Sequence, residues 1–225
     1  MSTTFPANPG TQSLHLHGGG FLLAQHRQPE QHGSSQPPAA MPAPQGVKLP
    51  VPYQSQRDNY RDANRTCFSS SCAMLLMHRR PGAISGDNQY VREVFQRGDS
   101  TSSSVQLATL AAFGVKAQFL TSGSLAALKA QLDRGIPAPC GILHHGPASA
   151  PSGGGHWICV VGYQDDASRP GGGFFWVHDP WGEISHATGR YITTNGEYRQ
   201  YSYALMNARW TADTPDSDGW WVRAS

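Results

Sequence analysis

Helix-like periodicity and strand-like apolar runs do not alternate along this chain. They occupy successive stretches, and that order constrains the fold more than any other feature. Residues 66–78 read as a helix, with Cys72, Ala73, Leu75 and Leu76 filling one broad side. Asp87 resembles an N-cap for a second helix running through Val91, Val94 and Phe95 and stopped at Gly98. Ser103 or Ser104 caps a third, which buries Val105, Leu107, Leu110 and Ala111 and ends at Gly114. A fourth spans residues 124–134, again with a serine cap and a following glycine. Strand signals then dominate. Residues 115–120 alternate, 138–144 and 157–163 are apolar runs fit for buried strands, 174–178 add another, and 220–223 close the sheet. Helices first and an antiparallel sheet second imply an α+β fold. Gly171-Gly172-Gly173 reads as a hairpin tip, because a phosphate loop needs a following helix.

Ahead of this pattern, residues 1–46 carry just two charged side chains, Arg27 and Glu30, among many Pro, Gly, Ser, Gln and His residues. Prolines in such density sustain neither helix nor sheet ladder, so the segment is expected to be a flexible, disordered N-terminal arm. Residues 47–225 then form one domain. His15, His17, His26 and His32 lie in the arm and read as solvated linker residues; a docking segment that orders on a particle or partner protein is the alternative.

Charge excludes several functions. The formal net charge is +2, and Lys and Arg are scattered, so there is no basic stripe for nucleic acid. No apolar run reaches the roughly 18 residues of a membrane span. The N-terminus lacks the basic and apolar regions of a secretory signal, which points to synthesis in the cytoplasm without export, with release by lysis or carriage in a virion left open. Cys67, Cys72, Cys140 and Cys159 form no dense framework and are expected as free thiols, one disulfide remaining open.

Four residues at element ends carry the chemistry. Cys67 stands at a predicted helix start, where unpaired N–H groups favour an anion such as the thiolate a nucleophile needs. His156 follows three glycines and opens an apolar strand, a place from which its ring faces a cleft. Asp179 ends the next strand and is positioned to accept a hydrogen bond from the imidazole Nδ1–H, fixing the tautomer. Gln56 lies in the entry loop, where its amide, with the Cys67 N–H, suits a developing oxyanion. Each has an ordinary structural reading too: a small apolar residue under a helix, a strand cap, an Asp-Pro turn.

The motifs Val51-Pro52-Tyr53-Gln54-Ser55-Gln56, Thr66-Cys67, Gly155-His156-Trp157-Ile158-Cys159-Val160-Val161-Gly162-Tyr163 and Val177-His178-Asp179-Pro180-Trp181-Gly182 together resemble one family. It is the papain-like cysteine peptidases of the double-glycine leader peptidase type, in their stand-alone C39-like branch. The resemblance covers residues 51–179 and implies a papain-like fold, peptide substrates and no cofactor or metal. It places the oxyanion glutamine on Gln56, the nucleophile on Cys67, the base on His156 and the orienting acid on Asp179.

The chain departs from that pattern at one point: Phe68-Ser69 stands where the family has Gly-Pro after the nucleophile. Cys72 rivals Cys67, but at 3.6 residues per turn it lies more than a turn inside the helix. Gln54 rivals Gln56. Cys140, His144 and His145 suggest zinc, yet structural zinc draws paired ligands from two loops, and a buried cysteine with two cleft-rim histidines is the plainer reading. His178 points away from Asp179, and Trp157, Trp176 and Trp181 are expected in the core. The function expected is hydrolysis of peptide, isopeptide or amide bonds, on cell-wall peptides of a phage or bacterial lytic system. A transglutaminase-like acyl transferase uses the same residues. A non-catalytic particle protein that retains the fold is the reading Phe68 favours.

Overall fold

The structure, a computed structural model, describes residues 46–212 and 218–225. Residues 1–45 of the expected arm, with its four histidines, lie outside the described residues, and Gly46 opens the first strand.

Apolar patterning and caps set the helices. The first, α1 (Cys67–Arg79), is buried continuously from Cys67 to Leu76. The expected apolar side is therefore a whole circumference, enclosed by neighbours that include serine partners. Buried hydroxyls must be hydrogen-bonded. Ser70 donates to Asp87 at 2.5 Å, and Ser69 accepts from Gln106 at 2.8 Å. Those partners come from α2 (Asp87–Arg97) and α3 (Ser103–Ala112). Asp87 is thus the first residue of α2 rather than its cap, a place taken by Gly86, while the Gln54 side chain accepts the Asp87 N–H. Ser102, one residue before the expected serines, caps α3 by accepting from Val105 N–H. Ser124 caps α4 (Leu125–Asp133) by accepting from Ala127 N–H.

The strands β2 (Ala117–Leu120), β3 (Ala138–Ile142), β4 (His156–Asp165) and β5 (Gly173–His178) fall within or beside the apolar runs. Short strands β1 (Gly46–Lys48), β8 (Arg199–Ser202) and β9 (Trp221–Ala224) join them, and β6 (Glu183–Ile184) pairs β7 (Tyr191–Thr193) separately. All pairings are antiparallel and the main sheet runs β2-β9-β3-β4-β5-β8. β4 is buried from His156 to Val161 on both faces, as an unbroken apolar run requires. It pairs β3 through residues 156–160 and β1 through residues 162–164, with a bulge between Val160 and Gly162. A side chain at Gly162 would strike the Val47 carbonyl, so glycine is what lets β1 approach. The glycine run 171–173 turns β4 into β5, as expected.

α1 lies against β3 and β4, with α2 and α3 stacked on α1; α4 packs on β3 and β4. The helix α5 (Tyr203–Trp210) packs on β3, β5 and β8 and was not expected from the sequence. Its signal is slight: eight residues, with Ser202 accepting Leu205 N–H as the cap. Cys72, Cys140 and Cys159 are fully buried, and all four cysteines are free thiols. Among the described residues no helix is long and apolar enough to cross a membrane.

Candidate active site

The start of α1 and the start of β4 meet. Cys67 is the first residue of α1, and no side chain caps that helix, which leaves its leading N–H groups available to an anion. The Cys67 thiol donates to the Gly155 carbonyl at 3.4 Å and lies close enough to His156 to favour that ring's cation. Gly155 has φ +89°, a left-handed backbone that glycine adopts without strain, and nothing else crowds its position. Backbone conformation, not close packing, is therefore what the glycine before His156 supplies.

His156 Nε2 lies 2.8 Å from Asp179 Oδ1, with His156 5% exposed and Asp179 fully buried. The sequence pointed to Nδ1 as the atom facing Asp179; the structure corrects this. Asp179 follows His178 at the end of β5, and Nε2, the far corner of the ring, is the atom that reaches its carboxylate. Nδ1 is left for the thiol. The carboxylate is held from three directions: Trp181 N–H donates to Oδ1 at 2.9 Å and the Tyr201 hydroxyl to Oδ2 at 3.0 Å. The Asp-Pro turn and the orienting carboxylate are thus one structure.

Burial, the largest influence on His156, disfavours its cation, yet the Asp179 charge and hydrogen bond and the Cys67 sulfur outweigh it. They lift the imidazole to about 10. Gln56 is 2% exposed; its Nε2 donates to the Ala63 carbonyl at 2.6 Å, one of the two protons an amide carries. The rival Gln54 is occupied at α2, donating to Tyr53 and accepting from Asp87. Cys72 is buried inside α1, and burial with the neighbouring Cys159 pushes its thiol pKa well up, away from thiolate. His178 is structural: its Nε2–H donates to the Val51 carbonyl and its Nδ1 accepts from Tyr198 N–H.

Two clefts flank this junction. One, of about 370 Å³, is lined by Cys67, Phe68, Phe119, Gly155, Trp157 and Trp220, with Arg65 at its rim. Phe68 stacks on Trp157 with ring centres 3.6 Å apart and 4° between planes, so the residue that departs from the family pattern builds a wall of this cleft. The other, of about 240 Å³, holds Gln56 and His156 with His144, His145, Trp181 and Tyr191. Trp157 is a buried core residue, as expected, that also walls a cleft; Trp181 lines the other cleft, against the expectation of core, while Trp176 lies under the Lys48 ammonium. Cys140 is buried in the sheet, away from the two histidines; no cluster of three metal-binding side chains occurs among the described residues.

The sequence missed Tyr191, Tyr201 and Arg209. Buried Arg209 donates to the Leu143, His145 and Gly146 carbonyls at 2.9, 3.1 and 2.6 Å and so fixes the histidine loop. Serine capping at Ser202 was the available sign that a helix carries it.

The Peptidase_C39 like family matches residues 48–209. The chain belongs to that family. Among solved structures, a protein from Bacillus anthracis assigned as a C39-like peptidase superposes with a TM-score of 0.53 at 14% identity, over 80% of this chain and 98% of that one. That likeness speaks to the fold, a C39-like arrangement of helices on an antiparallel sheet. UfSP from C. elegans gives a TM-score of 0.47 at 16% identity, over 82% of this chain and 34% of that one. Among curated proteins none matches the chain by sequence.

Proposed function

We propose that this C39-like chain is a cysteine peptidase using Cys67 as nucleophile, His156 as base, Asp179 as its orienting acid and Gln56 in the oxyanion hole. One observation carries the reading: a single buried imidazole is held by a fixed carboxylate and sits near enough to the thiol of a helix-start cysteine to feel its charge. The Cys67 thiolate attacks the peptide carbonyl, and the oxyanion rests against the Gln56 amide and Cys67 N–H. His156 protonates the leaving amine, then takes a proton from the water that releases the acyl-enzyme. The leaving group departs on the side of the base, toward His144 and Tyr191. The acyl side lies along the Phe68–Trp157 wall. Residues 47–225 are the catalytic domain in this reading, and 1–46 are an arm that delivers it to a particle or target.

Iodoacetamide at neutral pH is expected to label Cys67 selectively and stop hydrolysis, and Cys67→Ala to abolish both with the fold kept. Full hydrolysis by Cys67→Ala sinks the assignment. For the substrate, we propose peptides of the bacterial cell wall. Incubation with peptidoglycan should free new amino groups, and no release counts against that substrate.

A further inference from the structure

The cleft on the base side contains polar atoms that the fold leaves unused. Gln56 Oε1, His144 Nδ1 and the Tyr191 hydroxyl are each buried without a hydrogen-bond partner, and all three side chains line this one cleft. Ser71, Gln106 and Gln131 carry isolated orphans elsewhere, but buried polar groups are nearly always paired, and these three gather around one cavity. Gln56 is itself 2% exposed. The histidine ring of His144 lies 5.2 Å from that of His156, and Tyr191 meets His156 edge-on at 6.0 Å. The orphaned atoms thus surround the group that hands a proton to the leaving amine.

The chemistry of the lining selects a ligand. No Lys, Arg, Asp or Glu lines this cleft, so a charged side chain finds no counter-charge there apart from the His156–Asp179 pair. Burial, with His156 and His145 nearby, holds the His144 imidazole down to about 4 and therefore neutral. Burial and the Asp179 charge keep the Tyr191 phenol protonated as a donor. The cleft then offers an O–H donor, a carbonyl acceptor and an imidazole nitrogen of either role. Trp181 adds an apolar wall.

We propose that His144, Tyr191 and Gln56 form a recognition pocket for a carboxamide or hydroxyl side chain on the residue directly after the scissile bond. The assignment rests on the peptidase reading for its direction, with the leaving group on the base side. It makes His144 and Tyr191 specificity residues. A substrate lacking the polar group leaves buried donors and acceptors unpaired, a penalty that discriminates more strongly than a missing methylene.

The test separates binding from turnover. Dipeptide amides beginning with Asn, Ser, Leu, Asp or Lys are titrated into the wild-type protein while the imidazole signals are followed by NMR. Asn- and Ser-first peptides should bind about tenfold tighter than the others and move the His144 signals. The same order should appear in kcat/KM for peptides differing at that residue. In Tyr191→Phe and His144→Phe, each checked for native near-ultraviolet dichroism, the ratio between Asn and Leu should collapse. Equal or tighter binding of the Leu- or Asp-first peptide overturns the proposal, as does an unchanged ratio in both folded variants. A binding preference without any hydrolysis would sink the peptidase reading and leave the pocket standing.

Discussion

The Nε2 atom of His156 sits 2.8 Å from Asp179 Oδ1, and the Cys67 sulfur lies close enough to the same ring to favour its cation. The imidazole at the start of β4 thereby stands between the first residue of α1 and the carboxylate that follows β5. Its protonation is set by a contest between burial, which disfavours the cation, and Asp179, which favours it.

Removing the carboxylate charge decides that contest the other way. In Asp179→Asn, burial dominates, and the imidazole should titrate below its ordinary value of 6.5 instead of near 10. The alkaline limb of the kcat/KM profile should move to lower pH, with the rate at pH 7.5 falling at least about tenfold. Stability follows the same sign. A raised histidine pKa contributes stability that is fully present below pH 6.5 and lost as pH rises toward 10, so that decline, measured by urea unfolding, should disappear in the variant.

Asp87 shows the opposite linkage. Burial raises its carboxyl to about 6 from 3.8, against the lowering effect of the Ser70 hydrogen bond. The folded state binds a proton that the unfolded state has lost between those values, so this group makes the protein more stable as pH falls from above 6 to about 4. The span corresponds to about 3 kcal/mol at most. Asp87→Asn should flatten the dependence of unfolding free energy on pH across that window; an unchanged slope would contradict the assignment.

Phe68 is 2% exposed and stacked on Trp157, so truncation opens space beside the Cys67 thiol. Phe68→Ala should cost about 3–5 kcal/mol in urea unfolding. It should also weaken selection on the acyl side of the substrate, seen as a flattened profile in a peptide library.

Arg209 ties α5 to three carbonyls of the loop bearing His144 and His145. Arg209→Met removes charge-assisted bonds from buried acceptors, and a loss of about 2–4 kcal/mol is expected. Hydrogen exchange should rise first in residues 143–153, before the core strands respond.

The residues that announced themselves in the sequence share one property: each ends or begins an element. Cys67 precedes a run of small and apolar residues, His156 follows glycines, and Asp179 precedes Pro-Trp-Gly, so local grammar placed them together with an α+β order. Tyr191, Tyr201 and Arg209 lie in a segment of two- to four-residue strands and an eight-residue helix, too short for periodicity to show. Their partners are tertiary: Tyr201 meets Asp179 across adjoining strands, and Arg209 reaches back more than sixty residues. Trp157 is core, as its place on a buried strand suggests, and only its stacking on Phe68 of the distant helix α1 makes its ring a cleft wall as well.

The sheet order has a temporal side. β2 pairs with β9 alone, and β9 also pairs with β3, so residues 221–224 lie between strands made long before them. A chain leaving the ribosome therefore holds Cys67, His156 and Asp179 while one flank of its sheet is still unsealed. Phe119, Trp157 and Trp220 meet at that seam and line the cleft beside the thiol. The cleft wall therefore closes only once residues 220–224 have followed β2 and β3, because pairings between distant segments wait for the later segment to emerge.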